Sequence, residues 1–206
     1  MKRNTVHLIT ESGICIALAT ILSMLTLYSW PYGGSVTVAS MLPICLFAYR
    51  HSVRSGLACG FVHGMIQMFL GITQGVFKGA DLGTTVGMVV LDYFLAFTLL
   101  GLAGIFKDKI KSDSVSFALG CFIAAAARFI CHILSGYIFF KSYAEWFFSQ
   151  DGFTIGNRIL DSFAGDVLYW MYTVIYNASF MIPEIIITCA AALIIGKYPK
   201  ITRKIK

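Results

Sequence analysis

Six stretches of this 206-residue sequence run almost without charge, at roughly 8–28, 36–50, 54–72, 84–106, 115–140 and 165–196. Most reach about 18 residues, the length that crosses ~30 Å of hydrocarbon as an α-helix. The second is short for a full crossing; it is either tilted or begins within the loop before it. Only 13% of the residues are charged while 58% are hydrophobic, a surface too poor in charge for a soluble domain of this length. The pattern predicts an all-α membrane protein, a six-transmembrane-helix bundle forming one domain over 1–206. Pro183, inside the last stretch, should kink it unless neighbours satisfy the freed carbonyl.

The basic residues sort by loop. The N-terminus, the 50–54 turn, the 107–114 loop and the C-terminal tail hold Lys2, Arg3, Arg50, Arg54, Lys107, Lys109, Lys111, Lys197, Lys200, Arg203, Lys204 and Lys206. The loops near 29–35, 73–83 and 141–164 hold only Lys78, Lys141 and Arg158. By the positive-inside rule both termini are cytoplasmic. The net charge of +6 therefore reports topology and contact with the lipid bilayer, not nucleic acid. The six cysteines lie in apolar runs without CxxC spacing and read as packing residues, not disulfides or metal ligands. MKRNTVHLITESG, with Glu11 inside the first apolar run and no small-residue cleavage pattern, reads as the start of helix one and not as a removed signal peptide. The external loops are aromatic and glycine-rich: LYSWPYGG at 27–34 and FFKSYAEWFFSQDGF at 139–153. They are either an interfacial aromatic belt or a lid over an outward-facing pocket.

Polar side chains inside the spans mark a candidate pocket, because a buried charge in a bilayer costs a few kcal/mol on insertion scales. Asp92, in VVLDYFLAFTLLGLAG, lies about 12 Å from the outer start of span four at 1.5 Å per residue. His132 in span five, and Tyr172 and Asn177 in span six, fall at a similar level. Tyr93 adjoins Asp92 but points about 100° away, so one of the two faces the pocket centre. Arg128 shares a helix face with His132 one turn deeper and needs a counter-charge, for which Asp92 is available. Trp30, Phe140 and Tyr143 add rings from the external loops. His63 and Gln67 form another i,i+4 pair that an inter-helix hydrogen bond explains equally well. Glu184 either caps the broken helix or pairs with a neighbour. Gly13 and Ala17 on the first helix form a small-xxx-small face, for internal packing or for a partner subunit.

A carboxylate among aromatic walls suits a flat, cationic, nitrogen-rich heterocycle. No Walker-type phosphate loop, HExxH or GxSxG is present, so nothing in the chain supplies ATP hydrolysis or a known catalytic centre. The readings left open are a substrate-binding transport subunit, an intramembrane enzyme built on Asp92 and His132, and a small self-sufficient carrier.

The sequence resembles one family over nearly its whole length. TESGICIALATILS at 10–23, GGSVTVASMLPI at 33–44, YRHSVRSGLACGFVHGMIQ at 49–67, LDYFLAFTLLGLAGIF at 91–106, RFICHILSGYIFFKSYA at 128–144 and YNASFMIPE at 176–184 resemble the thiamine-specific S component, the substrate-binding membrane subunit, of energy-coupling-factor (ECF) vitamin transporters. The resemblance implies a six-helix bundle in the bacterial plasma membrane that binds thiamine near the outer face beneath the loop between spans one and two. It needs no bound cofactor of its own. It places Asp92 on the aminopyrimidine, His132 beside the thiazolium, Tyr172 and Asn177 at the pyrimidine end, and Trp30 in the lid. It implies docking of Gly13 and Ala17 on a transmembrane coupling subunit, with two cytoplasmic ATPases completing the complex. Some members have glutamate at the position of Asp92 and tryptophan at that of Phe140, a stacking role Trp146 or Trp170 takes here if Phe140 does not. Residues 145–168 have no match. Within this class the alternative is an S component for another vitamin, such as riboflavin.

Overall fold

The computed structural model describes residues 3–30 and 33–202, so that Lys2, Arg203, Lys204 and Lys206 of the topology argument lie outside the described residues. Helix α1 (Arg3–Met24) leads into a hairpin of β1 (Thr26–Ser29) and β2 (Ser35–Thr37). There follow α2 (Leu42–Arg50), α3 (Val53–Gln74), α4 (Leu82–Gly104) and α5 (Asp113–Phe139). The short helices α6 (Ala144–Phe148) and α7 (Thr154–Ser162) precede α8 (Gly165–Ile195) and α9 (Pro199–Thr202).

Five helices among the described residues are long and apolar enough to span a bilayer: α1, α3, α4, α5 and α8. The expected sixth spanning helix, 36–50, is not one. It is strand β2, a turn, and the nine-residue α2, which at 1.5 Å per residue is about 14 Å long. The reason is local. Val36, Thr37 and Val38 are β-branched and favour extended backbone, and Pro43, lacking an N–H, sits where a helix starts. The segment thus begins inside the preceding loop, and the all-α expectation is amended by a two-stranded hairpin. The short helix is the centre of the core: Leu42, Ile44, Cys45, Phe47, Ala48 and Tyr49 are all buried.

Separate sets of contacts tie the connections at the Arg50 end and at the hairpin. Glu11 of α1 pairs with Arg50 (2.7 Å) and His51 (2.9 Å) in the α2–α3 turn. Lys107, after α4, donates to the Arg50 carbonyl, and Arg50 Nη1 donates to that of Ile201 in α9. The hairpin, α6 and α7 share a separate apolar cluster with the first half of α8.

Gly56, Gly60 and Gly64 lie on one face of α3 at four-residue spacing and press against α4 and α2. A Cβ on Gly64 would stand 2.6 Å from the Tyr93 carbonyl oxygen, and one on Gly60 would run into that of Phe97. This is the small-residue packing that lets two membrane helices touch backbone to backbone. Helix α4 itself is irregular. Asp81 caps its start, accepting from the backbone N–H of Gly83 and Thr84. It then widens to a π-helical turn over Val89–Leu95 and tightens to 3-10 geometry over Leu99–Gly104. Such π-turns re-aim side chains and recur at functional sites; this one carries Asp92. Helix α8 continues through Pro183 as one element.

Candidate functional site

The π-turn directs Asp92 at α5. Asp92 Oδ1 lies 2.7 Å from His132 Nδ1, and Oδ2 accepts from the Ser135 hydroxyl. On the other side of the imidazole, Arg128 Nε donates to His132 Nε2 at 3.2 Å. The two contacts fit one tautomer, with Nδ1–H given to the carboxylate and the Nε2 lone pair taken by the guanidinium. A direct Arg128–Asp92 pair is therefore replaced by a relay through His132. The guanidinium also sits 4.2 Å above the centre of the Phe97 ring, a cation–π contact that helps a buried cation. Arg128 interacts electrostatically with two carboxylates, Glu184 and Asp92.

Helix α8 closes this group from the other side. Asn177 is buried, and its Nδ2 donates to the backbone carbonyls of His132 (3.3 Å) and Thr173 (2.8 Å). The Phe180 ring approaches His132 edge-on at 6.0 Å. From there a column of rings climbs to the hairpin: Phe180 to Tyr176 at 6.2 Å, and Tyr176 to Trp30 at 6.2 Å. Tyr172 joins it through Tyr176 (5.7 Å) and Phe147 (5.4 Å). The Tyr176 hydroxyl donates to the Gly33 carbonyl at 2.8 Å, tying the hairpin down. Trp30 Nε1 is buried without a hydrogen-bond partner among the described residues. An indole N–H left so is costly and normally finds an acceptor.

Of the residues the sequence pointed to, Asp92, His132, Asn177, Tyr172 and Trp30 converge on this column. Tyr93 turns the other way, its hydroxyl against Gly71 of α3 and its ring 5.6 Å from Phe77. Phe140 and Tyr143 pair at 6.4 Å at the end of α5, at the margin of the same apolar cluster. Trp170 stacks on Tyr137 at 4.2 Å, and Trp146 lines an open depression of about 450 Å³ with Glu145, Phe163 and Leu168. None of the converging residues lines that depression, which has one carboxylate and wide access to solvent, so it is the weaker candidate site.

Sequence reasoning passed over Ser135, Phe147, Tyr176 and Phe180. Three of them carried a readable signal. Ser135 is three residues after His132, and Tyr176 and Phe180 are successive turns of the face that also bears Tyr172. Gln67 donates to Ser23 Oγ (2.8 Å) and His63 lies against Phe97, both as inter-helix contacts. Gly13 and Ala17 are exposed on α1, opposite the buried Cys15 and Ala19, and a Cβ on Gly13 would meet nothing within 4 Å. Packing inside the bundle does not use them.

A family profile described as "Thiamine transporter protein" matches residues 9–149. The chain belongs to the thiamine transporter family. Membership makes it a multi-pass plasma-membrane transport protein and not an enzyme. Two thiamine transporter relatives bear this out. The chain is 30% identical to the thiamine transporter ThiT of Bacillus subtilis over 194 residues, covering 89% of this chain and 86% of that one. It is 28% identical to the thiamine transporter ThiT of Lacticaseibacillus paracasei over 150 residues, covering 66% of this chain and 69% of that one. A solved structure of ThiT from Listeria monocytogenes superposes with a TM-score of 0.72 over 98% of this chain and 100% of that chain, at 17% identity, and so shares the fold.

Proposed function

We propose that residues 1–206 form one membrane-embedded thiamine-binding domain, the S component of an ECF-type importer, which captures thiamine at the outer face. The observation that carries this reading is the relay Asp92–His132–Arg128 at the foot of a ring column that ends in Trp30. Thiamine presents a fixed positive charge on its thiazolium and a flat aminopyrimidine with donors and acceptors. Asp92 offers it a carboxylate whose spare lone pairs remain after His132 and Ser135 have each used one. Rings from Phe180, Tyr176, Tyr172 and Trp30 offer faces for stacking and for the cation. His132 is held in one orientation from both sides, so the acceptor group is preorganised and little entropy is lost on binding.

The positive-inside rule puts the Glu11–Arg50 end in the cytoplasm and the hairpin outside, which opens the column toward the source of substrate. The exposed Gly13 and Ala17 supply a smooth strip on α1 where a transmembrane coupling subunit packs closely. Two ATP-binding subunits then provide the energy this chain has no motif to extract.

Binding of thiamine to the purified protein, followed by tryptophan fluorescence, tests the reading. Saturable quenching that riboflavin does not compete for is expected. No response at millimolar thiamine would refute it.

A further inference from the structure

Helix α8 grips the hairpin at three points spaced by four residues, about 12 Å along the helix. The Tyr176 hydroxyl donates to the Gly33 carbonyl. Gly34 lies flat on the Phe180 ring, where an added Cβ would stand 2.5 Å from the ring edge. Glu184 accepts at Oε1 from both the backbone N–H and the hydroxyl of Thr37, the hydroxyl at 2.6 Å. Ser40 lies 2.7 Å from that hydroxyl oxygen and completes its bonding, since the single Thr37 hydroxyl proton goes to the carboxylate.

The third grip differs from the other two. It is charge-assisted, which makes each bond roughly twice as strong as a neutral one. It is also buried: Glu184 is 3% exposed, and its Oε2 has no hydrogen-bond partner among the described residues. Lifting β2 away would leave the whole carboxylate unpaired in an apolar interior, with only the electrostatic support of Arg128. Strand β2 cannot lift alone, because Thr37 pairs in register with Thr26 and Ser35 with Ser29, while the Trp30 backbone N–H donates to the Gly34 carbonyl at 3.0 Å. Whatever holds Thr37 holds Trp30.

We propose that Glu184 is a positioning residue for capture: through Thr37 it latches the Trp30 hairpin onto α8 and sets how long a bound cation stays beneath it. This rests on the thiamine-binding reading of the site. The latch also explains why a carboxylate not needed to contact substrate lies next to Pro183 in the middle of a membrane helix.

Stopped-flow fluorescence of thiamine release from wild type, Glu184→Ala, Glu184→Gln and Thr37→Val tests it. The dissociation rate should rise roughly tenfold or more in Glu184→Ala, equivalent to about 1.4 kcal/mol. Glu184→Gln keeps the Oε1 acceptor but loses the charge, so its rate should lie between those of wild type and Glu184→Ala. Thr37→Val, which leaves the backbone bond, should fall between. An unchanged rate in Glu184→Ala overturns the latch, as does equal damage in the alanine and glutamine variants, because the Oε1 acceptor then holds nothing by itself. If Glu184→Ala does not fold, an unchanged rate in Thr37→Val overturns it instead. Hydrogen exchange of the Thr37 amide without ligand separates this proposal from the binding reading. Protection in wild type and Glu184→Gln but not in Glu184→Ala supports the latch even if no thiamine binds, and equal exchange in all three overturns it.

Discussion

Replacing Asp92 by asparagine removes one charge and almost no volume, so the loss in thiamine affinity measures what that charge does. The side chain is 20% exposed and faces α5, so bulk water screens it only in part. A ligand cation about 5 Å away interacts with it by roughly 3 kcal/mol at an effective dielectric of ~20. Loss of a charge-assisted hydrogen bond, at about 1.5–3 kcal/mol, gives the same range by a separate route. The asparagine side chain would also have to serve two donors, His132 Nδ1 and the Ser135 hydroxyl, with a single carbonyl oxygen. Ser135 can rotate, so this second cost falls on protein stability more than on binding. The dissociation constant should therefore weaken by roughly 10- to 150-fold, every 1.4 kcal/mol being tenfold. Calorimetric titration of the purified protein measures it, with thermal unfolding of each variant run alongside to separate the two costs. Asp92→Glu, which retains the charge on a longer arm, should stay within about tenfold. A change of less than threefold in Asp92→Asn, in a protein that unfolds at the wild-type temperature, would refute the claim that this carboxylate greets the cation.

Other outcomes follow from the packing. Gly64→Ala places a methyl 2.6 Å from the Tyr93 carbonyl and should lower stability by about 1–3 kcal/mol, read as a lower unfolding temperature in detergent. Gly13→Ala, inside α1 with open space around it, should not lower that temperature and should raise it slightly, alanine being the better helix former. Gly13→Leu should leave thiamine binding intact yet abolish uptake in vesicles containing the proposed coupling subunit and ATPases; unimpaired uptake would remove α1 from the proposed docking role. Trp30→Phe should lose most of the thiamine-dependent fluorescence change, because Trp30 is the indole in contact with the ring column. Asp81 is fully exposed, and its carboxyl is held below the ordinary range, chiefly by the Thr84 hydroxyl. A lowered folded-state pKa means its contribution is present above the ordinary carboxylate value of about 3.9 and lost as pH falls below it. The difference in unfolding temperature between wild type and Asp81→Ala should therefore vanish in acid.

The sequence alone determined the solvent and raised the chemistry of the site as an expectation. Charge-free stretches of spanning length require a bilayer, and the uneven lysines and arginines predict its two sides. A carboxylate inside such a stretch, in a chain without a catalytic motif, asks for a cation. These are properties of composition and spacing, and no folding changes them. The pairing inside the site was out of reach. Whether Asp92 meets Arg128 or His132 depends on where a π-turn aims it, and that turn lies where α4 is in close contact with the glycine face of α3. How little of the second span is helix was out of reach for a similar reason: apolar residues buried by neighbours look the same in sequence as apolar residues facing lipid, and those of α2 are buried. Tertiary contact likewise decided that Gly13 and Ala17 face outward, that Tyr93 turns to α3, and that Glu184 meets Thr37 across 147 residues of chain. A hydrogen bond between distant residues leaves no local pattern, because the free energy that selects it is shared among every helix that brings the two together.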